Sequence, residues 1–333
     1  MSLATKYRPE KLDDVVYQEV VLKILNQQIK MKSYVNVYMF SGPSGVGKTT
    51  IARILANEIN EGLGSPIEID AASNNGVDNI RNIIEHANER SFESKYKVYI
   101  IDECHMLTTQ SWNALLKLVE EPPKYTIFMF CTTNLSKVPQ TILNRCQLYK
   151  LTKIPTNKLI DRLKYICSQE DLSYEDQALD FITKLSYGSL RQAICSLELC
   201  IDYGKLNLDN VKKVLGNYTY DVHFELLNAM LDGDISKTLE IIDKLYSDGQ
   251  DLKLYLDQFI SFILDVLKFT IYKSYDIIEI PKSYSRDLVN VTNLDTDVIK
   301  LYKSLLKKLL HIKINLSDVN IREILEVMLI NVF

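Results

Sequence analysis

The chain has 333 residues, of which 47% are hydrophobic and 25% charged, so its composition is that of an ordinary soluble protein with two or three domains. The net charge of −4 argues against a generally basic exterior for nucleic-acid binding but is compatible with a local basic track. No apolar run approaches the length that spans a bilayer, and the N-terminal residues lack the hydrophobic segment of a secretory signal, so no membrane association is expected.

Strand-like and helix-like runs alternate over residues 1–152, which predicts an α/β domain with a parallel sheet covered by helices on both faces. The predicted strands are continuous and apolar, as a doubly covered parallel sheet requires. They are Asn36–Phe40, Ile67–Asp70, Lys97–Asp102, Thr126–Cys131 and Gln147–Leu151. The predicted helices between them are Thr49–Asn60, Val77–Arg90, Gln110–Glu120 and Pro139–Cys146.

The apolar period becomes helical after Pro155, where no further strand is predicted. Residues 153–217 are expected to form one small all-α region, with helices that include Leu190–Tyr203 and Asn207–Leu215. Residues 218–333 are expected to form a second all-helical domain. Its predicted helices are Val222–Leu231, Ile235–Tyr246, Leu252–Tyr272, Thr296–Leu310 and Asp318–Asn331.

The loop after the first predicted strand matches the phosphate-binding pattern G-x-x-x-x-G-K-[ST] at every position. Glycines let the backbone N–H groups turn toward phosphates, and the N-terminus of the following helix adds positive potential. Lys48 is expected to reach the β- and γ-phosphates and Thr49 to hold Mg²⁺. A tight turn that binds nothing would explain the glycines but not Lys48 beside Thr49. The predicted nucleotide contacts here are Gly42, Pro43, Ser44, Gly45, Val46, Gly47, Lys48, Thr49 and Thr50.

A second nucleotide signal lies at the C-terminal end of the predicted strand Lys97–Asp102, where open α/β sheets place their ligands. Asp102 is expected to hold Mg²⁺, directly or through water, and Glu103 to polarise an attacking water as general base. Two acids at a strand end are common, so the pair indicates a nucleotide site only in combination with the phosphate loop about sixty residues earlier. His105, close behind, is interpreted as a loop residue without a chemical role.

Taken with further stretches in the same order and spacing, these motifs resemble the gamma/tau family of bacterial DNA polymerase III clamp-loader subunits, which are AAA+ ATPases, and more distantly the replication factor C small subunits. The resemblance covers the N-terminal two thirds and fades after about residue 270. The stretches that carry it, besides the two motifs above, are Lys6-Tyr7-Arg8-Pro9, Asp14-Val15-Val16, Ile69-Asp70-Ala71-Ala72-Ser73, Asn113-Ala114-Leu115-Leu116-Lys117, Glu120-Glu121-Pro122-Pro123, Cys131-Thr132-Thr133, Ile142-Leu143-Asn144-Arg145-Cys146 and Gly188-Ser189-Leu190-Arg191.

The resemblance implies an architecture and an activity. Residues 1–152 would be an AAA+ P-loop core with a five-stranded parallel sheet, 153–217 a helical lid, and 218–333 a helical collar for oligomerisation. The protein would bind and hydrolyse ATP with Mg²⁺, open a sliding clamp and load it onto primer–template DNA during replication. Its expected partners are sister subunits in a hetero- or homopentameric spiral, the clamp and the DNA.

The resemblance also implies roles for residues outside the two motifs. Thr133 would be sensor 1, orienting the attacking water, and Arg191 would be sensor 2 of the lid. Arg145 would be an arginine finger that acts in trans on the neighbouring subunit's ATP, although Asn144 replaces the family's serine before it. Two further contacts to the nucleotide are expected from Arg8 and Val16.

Primer–template DNA is expected to meet helix N-termini on the inner surface of the spiral, which needs few lysines. The resemblance suggests Asn75, Arg81 and Thr109 as its contacts. Their alternative interpretation is that of ordinary polar residues in loops and helices.

The chain departs from the bacterial pattern in ways that affect cofactor and source. The relatives carry a cysteine-rich zinc module, whereas here residues 60–65 cross the same gap without a cysteine. The six cysteines contain no C-x-x-C pair and mostly lie among apolar residues, which predicts reduced thiols, no zinc and a cytoplasmic location. Tyr17 stands where a glycine is usual. A compact loader subunit of a phage or another mobile replicon, working in bacterial or infected-host cytoplasm, would fit these departures.

Two alternatives remain open at this stage. One is another AAA+ machine of replication or repair, such as a helicase loader or branch-migration motor, although no winged-helix signal follows the helical domain. The other is a non-hydrolysing scaffold like the delta-prime loader subunit. Six residues speak against that scaffold, namely Lys48, Thr49, Asp102, Glu103, Thr133 and Arg191.

Overall fold

The computed structural model describes residues 2–215, 220–248, 252–293 and 297–315, so the predicted helix Asp318–Asn331 lies outside the described residues. The chain divides into two compact units. The first comprises residues 1–173 and 185–202, and the second comprises 174–184 and 203–333. The predicted lid, residues 153–217, therefore contributes to both units.

The first unit is built on a five-stranded sheet in the order β2-β3-β4-β1-β5, with every neighbouring pair parallel. This confirms the predicted sheet, and each strand lies within one residue of its predicted bounds. β1 and β4 are buried along their whole length because helices cover both faces. The strands are β1 (Val37–Ser41), β2 (Ile67–Asp70), β3 (Lys97–Asp102), β4 (Thr126–Thr132) and β5 (Gln147–Lys150).

Two hydrophobic clusters lie on opposite faces of this sheet. One joins Phe40 and Met129 to the buried residues of two helices, α2 and α3. The other joins Phe128 and Phe130 to α4, α5 and α6. The helices of this unit are α1 (Leu3–Lys6), α2 (Glu19–Met31), α3 (Lys48–Ile59), α4 (Val77–Ala87), α5 (Thr109–Glu120), α6 (Gln140–Leu143), α7 (Thr156–Gln169) and α9 (Leu190–Tyr203).

The helices of the first unit differ from prediction at four places, of which the four-residue α1, which was not predicted, is one. α2 was not predicted, although Val21 and Leu25, one turn apart, are its buried residues. α4 ends at Ala87, three residues before the predicted end. The predicted helix Pro139–Cys146 is only four residues long in the structure. After it the N–H groups of Arg145 and Cys146 donate to carbonyls three residues back instead of four, which is the pattern of a tighter turn than an α-helix.

Helices make up the second unit, as predicted, and the only β-bridge among its described residues joins Tyr174 to Leu206. α13 has the predicted bounds, whereas α14 was not predicted. No helix in the described part of the chain is long and apolar enough to cross a membrane. The helices are α8 (Asp176–Leu185), α10 (Leu208–Leu215), α11 (Tyr220–Leu231), α12 (Ile235–Ser247), α13 (Leu252–Tyr272), α14 (Ser285–Thr292) and α15 (Val298–Asn315).

A buried amide fixes the short connection from α3 toward the sheet. Asn60, 7% exposed, donates from Nδ2 to the carbonyl of Tyr96 at 2.9 Å. The Tyr96 N–H donates back to Asn60 Oδ1, also at 2.9 Å. The side chain therefore acts like a strand partner for the residue just before β3, at the point where the chain leaves α3.

We predict that Asn60→Ala lowers the free energy of unfolding of the first unit by about 2 kcal/mol, because it removes both bonds and leaves the Tyr96 N–H without its partner, while the Tyr96 carbonyl keeps the Ser94 hydroxyl as a donor at 2.9 Å. The measurement is equilibrium urea denaturation followed by tryptophan fluorescence, since Trp112 is the single tryptophan of the chain and is buried in this unit. Asn57→Ala, on the exposed side of the same helix, is the control and should change the free energy by less than about 0.5 kcal/mol. Equal effects would contradict the role given to Asn60.

Candidate functional site

The glycine-rich loop lies where three parallel strands end. Gly42 donates its N–H to the Thr132 carbonyl of β4 at 3.2 Å, and the Leu151 N–H donates to the Ser41 carbonyl of β1 at 2.7 Å. A Cβ at Gly42 would stand 2.4 Å from the Leu151 carbonyl oxygen, so only glycine fits against the chain leaving β5. The loop is therefore seated on the sheet by backbone contacts.

Lys48 begins α3 and turns back over the loop. Its side chain is almost completely buried, and Nζ donates to the carbonyls of Gly42 at 3.0 Å and Pro43 at 2.8 Å. Burial lowers the pKa of the Lys48 ammonium below its usual value, while the carboxylates of Glu103 and Asp102 act in the opposite direction. The ammonium thus sits in the concave side of the loop, where an anion would neutralise it.

The other loop residues surround this position. Val46 is buried in the core, whereas Pro43 and Ser44 are exposed at the tip of the loop. Gly47 has φ +103° and precedes the first residue of α3, and Thr50 lies half-buried in the first turn of that helix. The nine predicted contacts are thus continuous in the chain: Gly42 to Gly47 form the turn after β1, and Lys48 to Thr50 form the first turn of α3.

Thr49 and Asp102 meet across the top of the sheet. The Thr49 hydroxyl donates to Asp102 Oδ2 at 2.7 Å. The other oxygen of the same carboxylate, Oδ1, accepts the N–H of Glu103 at 2.9 Å. The structure therefore brings the two predicted Mg²⁺ ligands within hydrogen-bond distance, and both present oxygen, the atom that Mg²⁺ prefers.

Glu103 lies beside Thr133, which follows β4, and beside His105, two residues further along its own segment. The backbone of Glu103 has φ +45°, in the left-handed region. Glu103 Oε2 accepts from the Thr133 hydroxyl at 3.0 Å and lies 3.2 Å from His105 Nδ1. Thr133 follows β4 directly, so it reaches the acid because β3 and β4 are neighbours.

The position of His105 beside Glu103 was not predicted from the sequence. Its Nδ1 also lies 3.2 Å from the Thr132 hydroxyl, which in turn accepts the N–H of Asn134 at 3.0 Å. The ring thus connects the two strand ends beside Glu103. Nothing in the local sequence gives this position, because it depends on the pairing of β3 with β4.

The start of α9 touches the glycine-rich loop. The Arg191 N–H donates to the Gly45 carbonyl at 3.3 Å. Gly45 has φ +73°, and a Cβ there would lie 2.1 Å from Ser189 Oγ and 3.2 Å from the Cβ of Arg191. The structure thus places Arg191, the predicted lid residue, directly against the loop.

A cavity of about 440 Å³ opens between the segment before α2, α2 itself and α7. Val16, a predicted nucleotide contact, lines it, whereas Arg8 is not among its lining residues and is exposed after α1. The wall combines aliphatic, aromatic and charged side chains from the loop before α2, from α2 and from α7. The lining residues are Val15, Val16, Tyr17, Glu19, Leu22, Lys158, Asp161, Arg162 and Tyr165.

Arg145 is engaged elsewhere in this chain. Its Nη2 pairs with Glu120 Oε1 at 2.7 Å, and its Nη1 donates to the Thr141 carbonyl at 2.7 Å. Both side chains of the ion pair are partly exposed, 38% for Arg145 and 44% for Glu120. The guanidinium therefore sits at the surface between the end of α5 and the end of α6.

The three residues suggested for DNA are exposed, and two of them lie close together. The Asn75 carbonyl accepts from the Ser111 hydroxyl at 2.7 Å, which joins the approach to α4 to the first turn of α5, where Thr109 stands. Arg81 is one turn into α4. The N-termini of α4 and α5 thus face the same region.

Among the described residues, no group of three or more His, Cys, Asp or Glu side chains is placed to share an ion. Four of the six cysteines are buried, Cys146 is half-buried and Cys195 is exposed. Burial raises the pKa of the Cys167 thiol to about 11 and that of Cys200 to about 12, which keeps both protonated at neutral pH.

Two protein-family models match the chain, one in each unit. The family described as "DNA polymerase III, delta subunit" matches residues 65–155. The family described as "DNA polymerase III subunits gamma and tau domain III" matches residues 206–333. Both descriptions name subunits of the same polymerase.

Individual proteins of known sequence show the same similarity over most of this chain. DNA polymerase III subunit gamma of Buchnera aphidicola from Acyrthosiphon pisum is 33% identical over 287 residues, covering 79% of this chain and 80% of the relative. Subunit gamma/tau of Mycoplasma genitalium is 33% identical over 314 residues, or 87% of this chain and 52% of the relative. Subunit tau of Bacillus subtilis is 34% identical, with 78% and 50% covered. The chain thus spans about half the length of the last two.

Solved structures confirm the AAA+ P-loop fold. The RuvB Holliday junction branch migration motor of Thermotoga maritima aligns with a TM-score of 0.54 at 23% identity, covering 68% of this chain and 79% of that one. A mutant of the same motor aligns with a TM-score of 0.55 and covers 74% and 86%. At this identity the likeness concerns the fold alone.

We predict that Gly45→Ala lowers the free energy of unfolding of the first unit by about 2 kcal/mol or more, because the new Cβ adds a close approach to α9 to the strain of a positive φ. Gly62→Ala is the matched control: Gly62 has φ +80° but its nearest neighbour would be 4.0 Å away, so only the backbone strain of about 1 kcal/mol applies. Urea denaturation followed by Trp112 fluorescence measures both. Equal losses would mean that the contact between the loop and α9 contributes nothing.

Proposed function

Because the chain belongs to the DNA polymerase III gamma/tau family, we propose that it is an ATP-hydrolysing subunit of a sliding-clamp loader, which opens a ring-shaped clamp and sets it on primer–template DNA. The observation that carries the proposal is the meeting of Lys48, Thr49, Asp102, Glu103 and Thr133 at one edge of the sheet. These residues combine a cation, two oxygen ligands, a carboxylate base and a hydroxyl that orients it.

The phosphate chain of ATP would occupy the concave side of the loop. There Lys48 now donates to two loop carbonyls, and in the complex its ammonium would donate to β- and γ-phosphate oxygens. The N–H groups at the start of α3 add positive potential at the same place. The lowered pKa of the buried Lys48 would return toward its ordinary value, because the phosphates supply the opposite charge that burial lacks.

Mg²⁺ fits the oxygen donors beside the loop. Thr49 and Asp102 would hold the ion, in place of the hydrogen bond that now joins them. An ion held by these two residues would neutralise negative charge that develops during phosphoryl transfer. Glu103, which donates its N–H to Asp102 from the next position in the chain, stays free to use its own carboxylate on water.

Glu103 would take the proton of the attacking water. The Thr133 hydroxyl and the His105 ring both contact the same carboxylate oxygen, Oε2, and so would restrain the side chain of Glu103. The other oxygen of the carboxylate would then accept the proton. Thr133 is therefore proposed to position the base, in keeping with the sensor 1 role. His105 is proposed as a second positioning residue.

Arg191 would connect ATP to the helices beyond the sheet. Its backbone already contacts Gly45, so a phosphate chain in the loop lies within the same small region as the start of α9. We infer that nucleotide binding biases the angle of α9 against the loop, and that hydrolysis removes this bias. Such a shift is what a clamp loader needs to grip and then release its clamp.

Arg145 is proposed to act on the ATP of a neighbouring subunit. Its ion pair with Glu120 lies on the surface and would exchange for the γ-phosphate of the adjacent site. Sister subunits in a pentameric spiral, the clamp and DNA are the proposed partners. The N-termini of α4 and α5, with Asn75, Arg81 and Thr109, are the proposed DNA contacts.

A second candidate is a loader subunit that does not hydrolyse ATP. The match of residues 65–155 to the delta-subunit family is the observation that favours it. The base, its orienting hydroxyl and the buried lysine argue for hydrolysis instead, since a scaffold would have no use for them. Turnover by the purified loader complex decides between the two candidates.

We predict that the chain, co-purified with its loader partners, hydrolyses ATP and that clamp and primed DNA stimulate turnover. In the same assay Glu103→Gln should lower kcat by about 10²- to 10⁴-fold with the ATP dissociation constant nearly unchanged, because the amide keeps the contacts but takes up no proton. Glu121→Gln, an exposed control, should behave as wild type. Wild-type turnover in Glu103→Gln would remove Glu103 as the base, and no turnover in the wild-type complex would favour the scaffold.

We predict that Arg145→Ala in the assembled complex retains ATP affinity but lowers stimulated hydrolysis by about 10³-fold or more. Arg53→Ala is a close control, because Arg53 is likewise 38% exposed and paired with a partly exposed glutamate, Glu68. That variant should keep wild-type turnover. A chain that hydrolyses ATP at the same rate alone and in the complex would contradict an arginine supplied in trans.

A further inference from the structure

The last described helix, α15, is strongly basic in a chain whose net charge is −4. Its sequence has no aspartate or glutamate, and its five lysines are Lys300, Lys303, Lys307, Lys308 and Lys313. Like charges one turn apart repel each other, so this composition lowers the stability of the helix on its own. A concentration of one charge sign in an otherwise acidic chain indicates a surface for an anionic partner.

The apolar side of α15 is already covered by protein. The helix packs along α13, and its Tyr302 hydroxyl donates to the Val291 carbonyl of α14 at 2.7 Å. Near the other end, Lys313 pairs with Asp257 of α13 at 2.9 Å. These contacts fix which side of the helix faces outward. The buried residues of α15 are Val298, Tyr302, Leu305, Leu309 and Ile312.

Three lysines lie on the outward side of α15. Lys300, Lys303 and Lys307 are exposed and follow one another at spacings of three and four residues, so they form one line along the helix, which we call the lysine stripe. Among the described residues, no carboxylate forms an ion pair with any of the three. Asp297, just before the helix, accepts the backbone N–H of Lys300 at 3.2 Å. The stripe therefore presents uncompensated positive charge to solvent.

The covered apolar side decides between two kinds of anionic partner. A helix that lies on a lipid membrane inserts its apolar side among the acyl chains, and that side of α15 is buried in protein. A nucleic-acid backbone needs cations alone, placed along a line of phosphates. Lys300 and Lys307 are about 10 Å apart along the helix axis, and a DNA strand places a phosphate about every 3.4 Å along its own axis. The three lysines therefore suit about three successive phosphates.

We propose that the lysine stripe of α15 is a separate DNA-contact surface in the second unit, which holds the phosphate backbone without reading the base sequence. Contacts to phosphates position a nucleic acid but do not specify its sequence, so three lysines are sufficient for this role. The inference does not rest on the proposed ATP function, because no residue of the stripe belongs to the candidate site. It is also independent of the DNA contacts proposed on α4 and α5, which belong to the first unit.

The test measures how DNA binding by the purified full-length chain depends on salt, without ATP, by fluorescence anisotropy between about 50 and 200 mM salt. The probes are a labelled oligo(dT) strand and a duplex of the same length. The glutamine variant combines Lys300→Gln, Lys303→Gln and Lys307→Gln. It should lower the slope of log binding constant against log salt concentration by about 2 on the single strand or about 3 on the duplex, since each phosphate contact contributes about 0.7 or 0.9. The probe with the larger loss is the form of DNA that the stripe holds.

Two further variants separate the stripe from total charge and from folding. The matched control combines Lys205→Gln, Lys237→Gln and Lys244→Gln, which removes the same charge from exposed lysines of the second unit outside α15, and it should keep the wild-type slope. An arginine variant with Lys300→Arg, Lys303→Arg and Lys307→Arg should also keep it, because the charge remains. The glutamine variant should retain the wild-type helix content by circular dichroism, since all three side chains are exposed.

Four outcomes would overturn the proposal in different ways. An unchanged slope in the glutamine variant would place the phosphate contacts elsewhere in the chain. An equal loss in the matched control would reduce the effect to total charge. Phosphatidylserine vesicles that bind the wild type as tightly as DNA does, and that the glutamine variant releases, would assign the stripe to membranes. A wild type that binds neither probe at about 50 mM salt would remove DNA as the ligand. Each outcome leaves the proposed ATP function standing, because no nucleotide enters the assay.

Discussion

The pairing of β3, β4 and β1 as adjacent parallel strands is the constraint on which the candidate site depends. Ser41 pairs with Thr132 and Ile101 pairs with Phe130, so the three strands end at the same edge of the sheet. Parallel strands in register necessarily bring their carboxyl ends together, and the residues that follow them meet without any further device. The phosphate loop, the two acids and Thr133 are thus separated by up to 90 residues of chain yet share one surface.

The contribution of each strand end follows from the sheet order. β4 lies between β1 and β3, so the residue after it, Thr133, is the one that can reach Glu103. β1 carries the loop that turns back over Asp102, which explains the Thr49–Asp102 hydrogen bond. A different order with the same strands would keep every motif of the sequence and lose the site, because the oxygen donors and the base would no longer adjoin the lysine.

The local pattern of residues in the sequence was sufficient to predict the strands of the sheet. β1, β3 and β4 are buried along most of their length, whereas the edge strands β2 and β5 are largely exposed, and the sequence pattern predicted all five within one residue. α2 was missed because apolar residues also occupy its exposed side: Val20 is 74% exposed and Met31 66%, which blurs the one-sided stripe. The positions of His105 and Glu120 could not be predicted, because their partners come from other elements and depend on strand pairing and helix ends.

The same backbone contacts explain how a nucleotide could act on more than its own pocket. The segment that follows β5 is held at two places. Gly42 packs closely against the Leu151 carbonyl, and the side-chain amide of Gln18 makes two hydrogen bonds with the backbone of Thr152. Two residues on, the Ile154 N–H donates to the Gly188 carbonyl at 3.0 Å, just before α9. If the loop binds phosphate as proposed, a change in the loop would therefore reach α9 by two routes, directly through Gly45 and indirectly through this segment. Since packed interiors shift between discrete arrangements instead of deforming smoothly, two rigid routes to one helix favour a switch in its angle over a graded response.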